Sequence, residues 1–160
     1  MTLRICTLII AIGGIYLSGY GQKDKTNHFD FWIGEWNVYK YGTDTLVGKS
    51  QITSILSGTA IQEHYQSTRG PFEGTSLNMY NKANDQWEQF WVDNSGLRLH
   101  IKGGIQGGSM VLESDSLALP VNKISWTPQE NGEVRQTWEQ KQKMADPWKI
   151  VFDGIYRSNN

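Results

Sequence analysis

The residues best suited to chemistry in this chain are scattered along it: Glu63, Ser76, Asn78, Tyr80, Gln89, Trp91, Arg98 and His100. Together they supply a carboxyl group, hydroxyls, amides, an indole, a guanidinium and an imidazole, a set able to hold a small molecule by hydrogen bonds and ring contact. None of them lies in a contiguous catalytic motif, so their use depends on which of them share a face of a sheet. Hairpin arithmetic addresses this, because a turn sets strand register and register sets facing. With Ala83-Asn84 central in one turn, Asn78 falls opposite Gln89 and Ser76 opposite Trp91. With Asn94-Ser95 central in the next, Trp91 falls opposite Arg98 and Gln89 opposite His100. A turn near Gln106-Gly107 then sets His100 opposite Glu113.

One face of these four strands thus carries Ser76, Asn78, Tyr80, Trp87, Gln89, Trp91, Asp93, Arg98, His100 and Glu113, and the other carries Leu77, Met79, Phe90, Val92, Leu97, Leu99, Ile101, Met110 and Leu112. Two assignments follow. If the Leu/Met/Phe face is the core, the polar face is solvated and Trp91 stacks under Arg98 as a surface cation–π pair, leaving two large indoles in water beside neutral amides. If the Ser/Asn/Trp/Gln face is inside, it makes a ligand pocket, and the outward Leu77, Phe90, Leu99, Ile101 patch calls for a partner subunit, hence a homo-oligomer. The site reading adopted here is the second.

Other polar residues are weighed the same way. Glu63 alternates with Ile61 and Tyr65 on one strand face; it is a buried acid with a raised pKa or, more simply, a rim carboxylate. Arg135 shares a face with Thr137 and Glu139, which suits a surface ion pair, and Asp153 before Gly154 suits a turn or bulge. His28, His64 and His100 stand far apart and form no H-x-H or H-E-x-x-H spacing, so no metal is expected, and a haem site would rest on His64 or His100 alone. Ser76, His100 and Asp93 or Glu113 could share a face, but Gly74-Thr75-Ser76 is not a strained nucleophile turn. General acid/base work by Glu63, Asp93 or His100 on a bound molecule, as in an isomerase or cyclase, is the better enzymatic alternative.

The elements that must position these groups are strands. From residue 34 onward, stretches of about eight to eleven residues rich in β-branched and aromatic side chains alternate with Gly, Asn and Asp. The spacing predicts strands near 34–41, 46–56, 60–68, 72–82, 86–93, 97–105, 109–117, 122–128, 134–142 and 148–157, with one short helical turn within 27–33. Asn94-Ser95-Gly96, Gly107-Gly108 and Glu130-Asn131-Gly132 suit tight hairpins. About ten consecutive antiparallel strands with short connections are expected to close into an up-and-down β-barrel, which removes both exposed edges; a two-sheet sandwich is the rival.

The segment His28-Phe29-Asp30-Phe31-Trp32-Ile33-Gly34-Glu35-Trp36 resembles the start of a bacterial calycin-like, that is lipocalin-like, family of unknown function. The likeness runs on through Gly74-Thr75-Ser76-Leu77-Asn78-x-Tyr80, Trp91-Val92-Asp93, Val134-Arg135-Gln136-x-Trp138-Glu139 and Phe152-Asp153-Gly154-x-Tyr156. It implies an all-β calycin barrel and no particular activity. By analogy with lipocalins, it implies that Trp36 plugs one barrel end and that Arg157 packs over it. A polar, aromatic lumen is similar to that of biotin-binding barrels, and Arg135 with Tyr156 is similar to the pair that holds a carboxylate in fatty-acid-binding barrels.

Residues 2–21 read as a secretory signal, with Arg4 before an apolar stretch from Ile5 to Leu17 and Gln22 as the first residue of the mature, single-domain chain 22–160. The apolar run is shorter than the ~18 residues of a spanning helix, so export without a stable membrane anchor, to the periplasm or the exterior, is expected. Leu17-Ser18-Gly19 is followed by Tyr20 where a lipoprotein signal needs cysteine. The single cysteine, Cys6, falls inside the leader, which leaves no thiol for disulfides, metal or nucleophilic attack in the mature chain. A net charge of -1 without a Lys/Arg cluster argues against nucleic acid as a partner. The expected function is binding of a small, apolar or aromatic molecule without a cofactor; the alternatives are an acid/base enzyme and a structural barrel with no ligand.

Overall fold

The computed structural model describes residues 24–117 and 119–159, so the expected leader and Cys6 lie outside the described residues. The strands are β1 (Gly34–Lys40), β2 (Leu46–Ile55), β3 (Ala60–Ser67), β4 (Glu73–Asn81), β5 (Gln86–Asp93), β6 (Arg98–Gln106), β7 (Ser109–Ser114), β8 (Val121–Pro128), β9 (Val134–Lys141) and β10 (Lys149–Ser158). Each pairs antiparallel with its sequence neighbours, and β10 returns to β1, with Trp36 opposite Ser158 and Lys40 opposite Gly154. The chain is therefore a closed up-and-down β-barrel, and closure leaves no edge strand to recruit a foreign one. A short 3-10 turn at Asp30–Trp32 lies in the segment expected to make one helical turn, and a second, at Lys25–Asn27, comes just before it.

The β4–β5 register is as expected, with Ser76 opposite Trp91 and Asn78 opposite Gln89. The β5–β6 register is not: Trp91 lies opposite Leu99, Phe90 opposite His100 and Val92 opposite Arg98. The connection is a three-residue loop rather than a two-residue one. Asp93 and Leu97 close it through Asp93 N–H to Leu97 O at 3.1 Å, and Gly96 takes φ +88°, the left-handed conformation of a turn ending in a bulge. One extra residue reverses the facing of the whole next strand. Because β6 and β7 keep the expected mutual parity, both strands turn over together. Arg98, His100 and Glu113 are thereby on the outer wall, and Leu99, Ile101, Met110 and Leu112 face the interior.

Hairpin connections of an up-and-down barrel alternate between its two ends. One end is filled by the chain entering β1. Phe29 and Trp32 stack with ring centres 5.0 Å apart, and both meet Trp126, at 5.1 and 5.3 Å. Phe29 also packs edge-on against Trp87, whose indole N–H donates to the Lys25 carbonyl at 3.0 Å. An ion pair from Lys25 to Asp85, at 2.7 Å, ties the same segment to the β4–β5 loop. The F-D-F-W stretch is thus a stopper, and Phe29 and Trp32 are fully buried within the core.

Trp36 is inward and buried, with its N–H bonded to the Trp32 carbonyl at 2.9 Å. Arg157, expected over Trp36, instead lies outside: it pairs with Asp44 and Glu133 and sits over the Tyr39 ring at 4.7 Å. Strand alternation explains this, since Arg157 is opposite Asn37, one residue out of phase with Trp36. Outside, the exposed apolar residues of β4 and β5 are Leu77, Met79, Phe90 and Val92. This patch is smaller than expected, because Leu99 and Ile101 belong to the interior.

Candidate functional site

The half of the barrel away from the stopper contains a cavity of about 280 Å³ lined by Glu63, Tyr65, Phe72, Gln89, Trp91, Leu99, Ile124, Gln136, Trp138, Phe152 and Tyr156. Six strands and the β3–β4 loop contribute, each through side chains of inward parity. The space exists because rings lie flat against the wall. Gly48, Gly74 and Gly154 sit where a β-carbon would collide with Tyr65, Trp91 and Phe152 respectively, so glycine on the neighbouring strand, or for Phe152 two residues along its own strand, makes room for each ring.

The ring positions are further held at their polar ends. Trp91 donates its N–H to Asp93 at 3.0 Å, Trp138 donates to Asn122 Oδ1 at 2.8 Å, and the Tyr65 hydroxyl donates to the Val47 carbonyl at 3.2 Å. Asn122 Oδ1 also accepts from Gln140. With their donors satisfied at the wall, the rings present faces to the lumen, which is the preorganisation a binding site needs.

The floor is polar. Glu63 is 3% exposed, so the rim placement preferred from sequence is replaced by full burial. Its Oε1 accepts from Ser50 Oγ at 2.8 Å and lies 3.4 Å from the Tyr156 hydroxyl, and its Oε2 is 3.3 Å from Ser76 Oγ. Asn78 Nδ2 donates to Ser76 Oγ at 3.0 Å, and Gln89 Nε2 donates to Asn78 Oδ1 at 2.7 Å, so a chain of amides feeds the hydroxyl that points at Glu63. Tyr156 also bonds Gln136 Oε1. Burial pushes the Glu63 carboxyl up to about 7 against the opposing pull of the Ser50, Ser76 and Tyr156 hydrogen bonds. Burial likewise raises the Tyr156 and Tyr65 hydroxyls above their ordinary value, with the Glu63 charge acting in the same direction, so both remain neutral near pH 7.

Of the eight residues singled out in the sequence, Glu63, Ser76, Asn78, Gln89 and Trp91 come together here. Tyr80 shares their face but stands at the stoppered end, bonded to Asp85 beside Trp87. Arg98 and His100 are outside, where His100 stacks on Phe90 at 4.3 Å and meets Glu88 at 3.1 Å. That separation also dissolves the hypothetical Ser76–His100 pair. Arg135 makes the expected outer ion pair, a two-pronged one to Asp153 at 3.0 and 2.8 Å, over the Tyr41 ring. Asp153 is a strand residue opposite Thr137, with the bulge just before it between Ile150 and Phe152.

Sequence reasoning missed Ser50, Tyr65, Gln136, Trp138 and Phe152 as site residues, and reached Tyr156 only through the likeness of the Arg135–Tyr156 pair to fatty-acid-binding barrels, of which Arg135 lies outside. The signal was available for two of them: if Arg135, Thr137 and Glu139 face outward, alternation puts Gln136 and Trp138 inside. No protein-family model matches the chain, and no curated protein matches it either.

Proposed function

We propose that this chain is an exported small-molecule-binding protein that holds its ligand in the barrel lumen. The observation that carries the reading is the cavity itself: aromatic walls with anchored indoles above a fully buried, hydrogen-bonded carboxyl group. A barrel serving only as a scaffold would gain from filling that space, since an unfilled lumen forfeits packing contacts. The calycin-like resemblance of the Phe29 to Trp36 segment belongs to the same proposal, as does the leader ahead of Gln22. N-terminal sequencing of chain recovered from a periplasmic or culture fraction is expected to begin at Gln22; recovery of uncleaved chain from the cytoplasm alone would remove export.

The test of the lumen is a screen of small aromatic and aliphatic compounds followed by intrinsic tryptophan fluorescence, compared between the parent chain and Trp91→Ala. Trp91 is partly exposed to the cavity and outside the stopper core, so its truncation is expected to weaken binding by about tenfold or more while changing stability little. Absence of any binding, with the variant indistinguishable from the parent, sinks the proposal.

A second reading is favoured by one observation. A cavity-lining carboxyl with a pKa of about 7 is poised to exchange a proton near neutral pH, which is what an isomerase or cyclase asks of a general acid/base. Turnover of a bound compound that follows the Glu63 titration and disappears in Glu63→Gln would establish that reading over simple binding.

A further inference from the structure

The lumen holds a charge site without a counter-charge. Among the described residues lining the cavity Glu63 alone can be ionised near neutral pH, and none is a lysine, arginine or histidine. The titratable groups facing it from packed elements are Tyr65 on β3 and Tyr156 on β10; β2 and β4 present Ser50 and Ser76, and β9 presents Gln136.

The hydrogen bonds around Glu63 are nevertheless those of an anion. Ser50 and Ser76 offer it hydroxyl protons, whereas the single proton of Tyr156 goes to Gln136 Oε1, with the Tyr156 oxygen 3.4 Å from Glu63 Oε1. The Ser76 oxygen already accepts from Asn78, which orients its own proton toward the carboxylate. Two serine donors converge on a carboxyl group that no protein cation among the described lining residues pairs with.

Above that carboxylate the wall is aromatic, lined by Tyr65, Trp91, Trp138 and Phe152, with the O–H of Tyr65 and the N–H groups of the two indoles tied back. Ring faces attract cations as well as apolar bodies. At about 280 Å³ the space is at the small end of ligand pockets, which run from ~300 Å³ upward. We infer that the ligand is a small organic ammonium compound, its cationic nitrogen against Glu63 and its apolar or aromatic body between Trp91, Trp138 and Phe152.

The inference rests on the lumen being a binding site, and its test separates the two. Affinities for the chain are measured by calorimetry and tryptophan fluorescence at about pH 8 with 2-phenylethylammonium, benzyltrimethylammonium, 2-phenylethanol and 3-phenylpropanoate. The two cations are expected to bind at least about tenfold more tightly than the alcohol, and the anion more weakly than either. Glu63→Gln is expected to abolish the preference for cations while retaining alcohol binding. Benzyltrimethylammonium carries a charge that does not titrate, so its affinity for the parent chain is expected to fall by about tenfold per pH unit as Glu63 protonates below about pH 7. This pH series needs no variant, and so stands even where Glu63→Gln fails to fold.

Alcohol or anion binding as tight as the cations, or ammonium affinity that ignores both pH and Glu63→Gln, overturns the cation inference and leaves lumen binding intact. If none of the four probes binds and the fluorescence is unchanged, the ammonium inference falls together with the lumen reading for ligands of this size.

Discussion

Trp126→Ala is expected to destabilise the barrel by about 3–5 kcal/mol, whereas Phe90→Ala costs about 1 kcal/mol, in denaturant titrations of the two variants beside the parent. Trp126 is fully buried and packs on both Phe29 and Trp32, so removing it opens a void at the joint between stopper and barrel wall. The rest of the stopper is tied to the β4–β5 loop and to Trp87 and cannot simply drop into the space. Phe90 is 45% exposed on the outer wall, and its main ring contact is His100. Trp126→Phe provides a control: it keeps much of the ring contact and removes an indole N–H that meets no acceptor among the described residues. It is expected to lose much less than the alanine variant. Equal losses for Trp126→Ala and Phe90→Ala would mean that the Leu/Phe face, not the stopper and its surroundings, is the core.

The second large effect is a change of stability with pH that Glu63→Gln removes. In the unfolded chain the Glu63 carboxyl releases its proton near its ordinary value of 4.5, and in the barrel it keeps it up to about 7. Between those values the native state binds one proton more than the unfolded state, so stability contributed by this group is withdrawn as pH rises and is fully lost above about 7. The interval corresponds to roughly 3 kcal/mol. Glu63→Gln preserves the shape, accepts from one of the two serines through its amide oxygen while its NH2 group donates to the other hydroxyl oxygen, and carries no charge to bury. It is therefore expected to match the parent near pH 4.5 and to exceed it by roughly 3 kcal/mol at about pH 8, measured as the difference in denaturation free energy without ligand. A constant difference across this range would show that Glu63 is not held in the environment described. On the ammonium proposal, a cation bound against Glu63 would restore the stability that the ionised, buried acid removes.

Much of the architecture is legible in the chain because period-2 alternation and Gly/Asn punctuation recur from residue 34 to the end. All ten strands lie within a few residues of their expected bounds. The β4–β5 face is legible as well, since the four-residue connection between Asn81 and Gln86 has an even count and its centre is marked by Ala83-Asn84. The β5–β6 connection carries an odd loop, and Asn94-Ser95-Gly96 can be divided into either a two-residue turn or a three-residue one. Hydropathy does not arbitrate between them. Both faces of β4 and β5 bear large apolar or aromatic residues: Leu77, Met79, Phe90 and Val92 outside, Trp87 and Trp91 inside. Gly96 at the last loop position is the local cue for the bulged form.

The sequence by itself points to the barrel class and the strand order and puts Ser76, Asn78, Gln89 and Trp91 on one face, because these follow from alternation along one strand and from one turn between adjacent strands; that this face is the inner one is decided by the tertiary structure. Only the tertiary structure decides the burial of Glu63, the pairing of its carboxylate with Ser50 on β2 and Tyr156 on β10, and the expulsion of Arg98 and His100 to the outer wall. Those outcomes depend on contacts across the lumen between residues as many as 93 positions apart and on a one-residue difference in a loop. Local pattern carries neither, since a β-strand specifies which residues share a face but not what stands across the barrel from them.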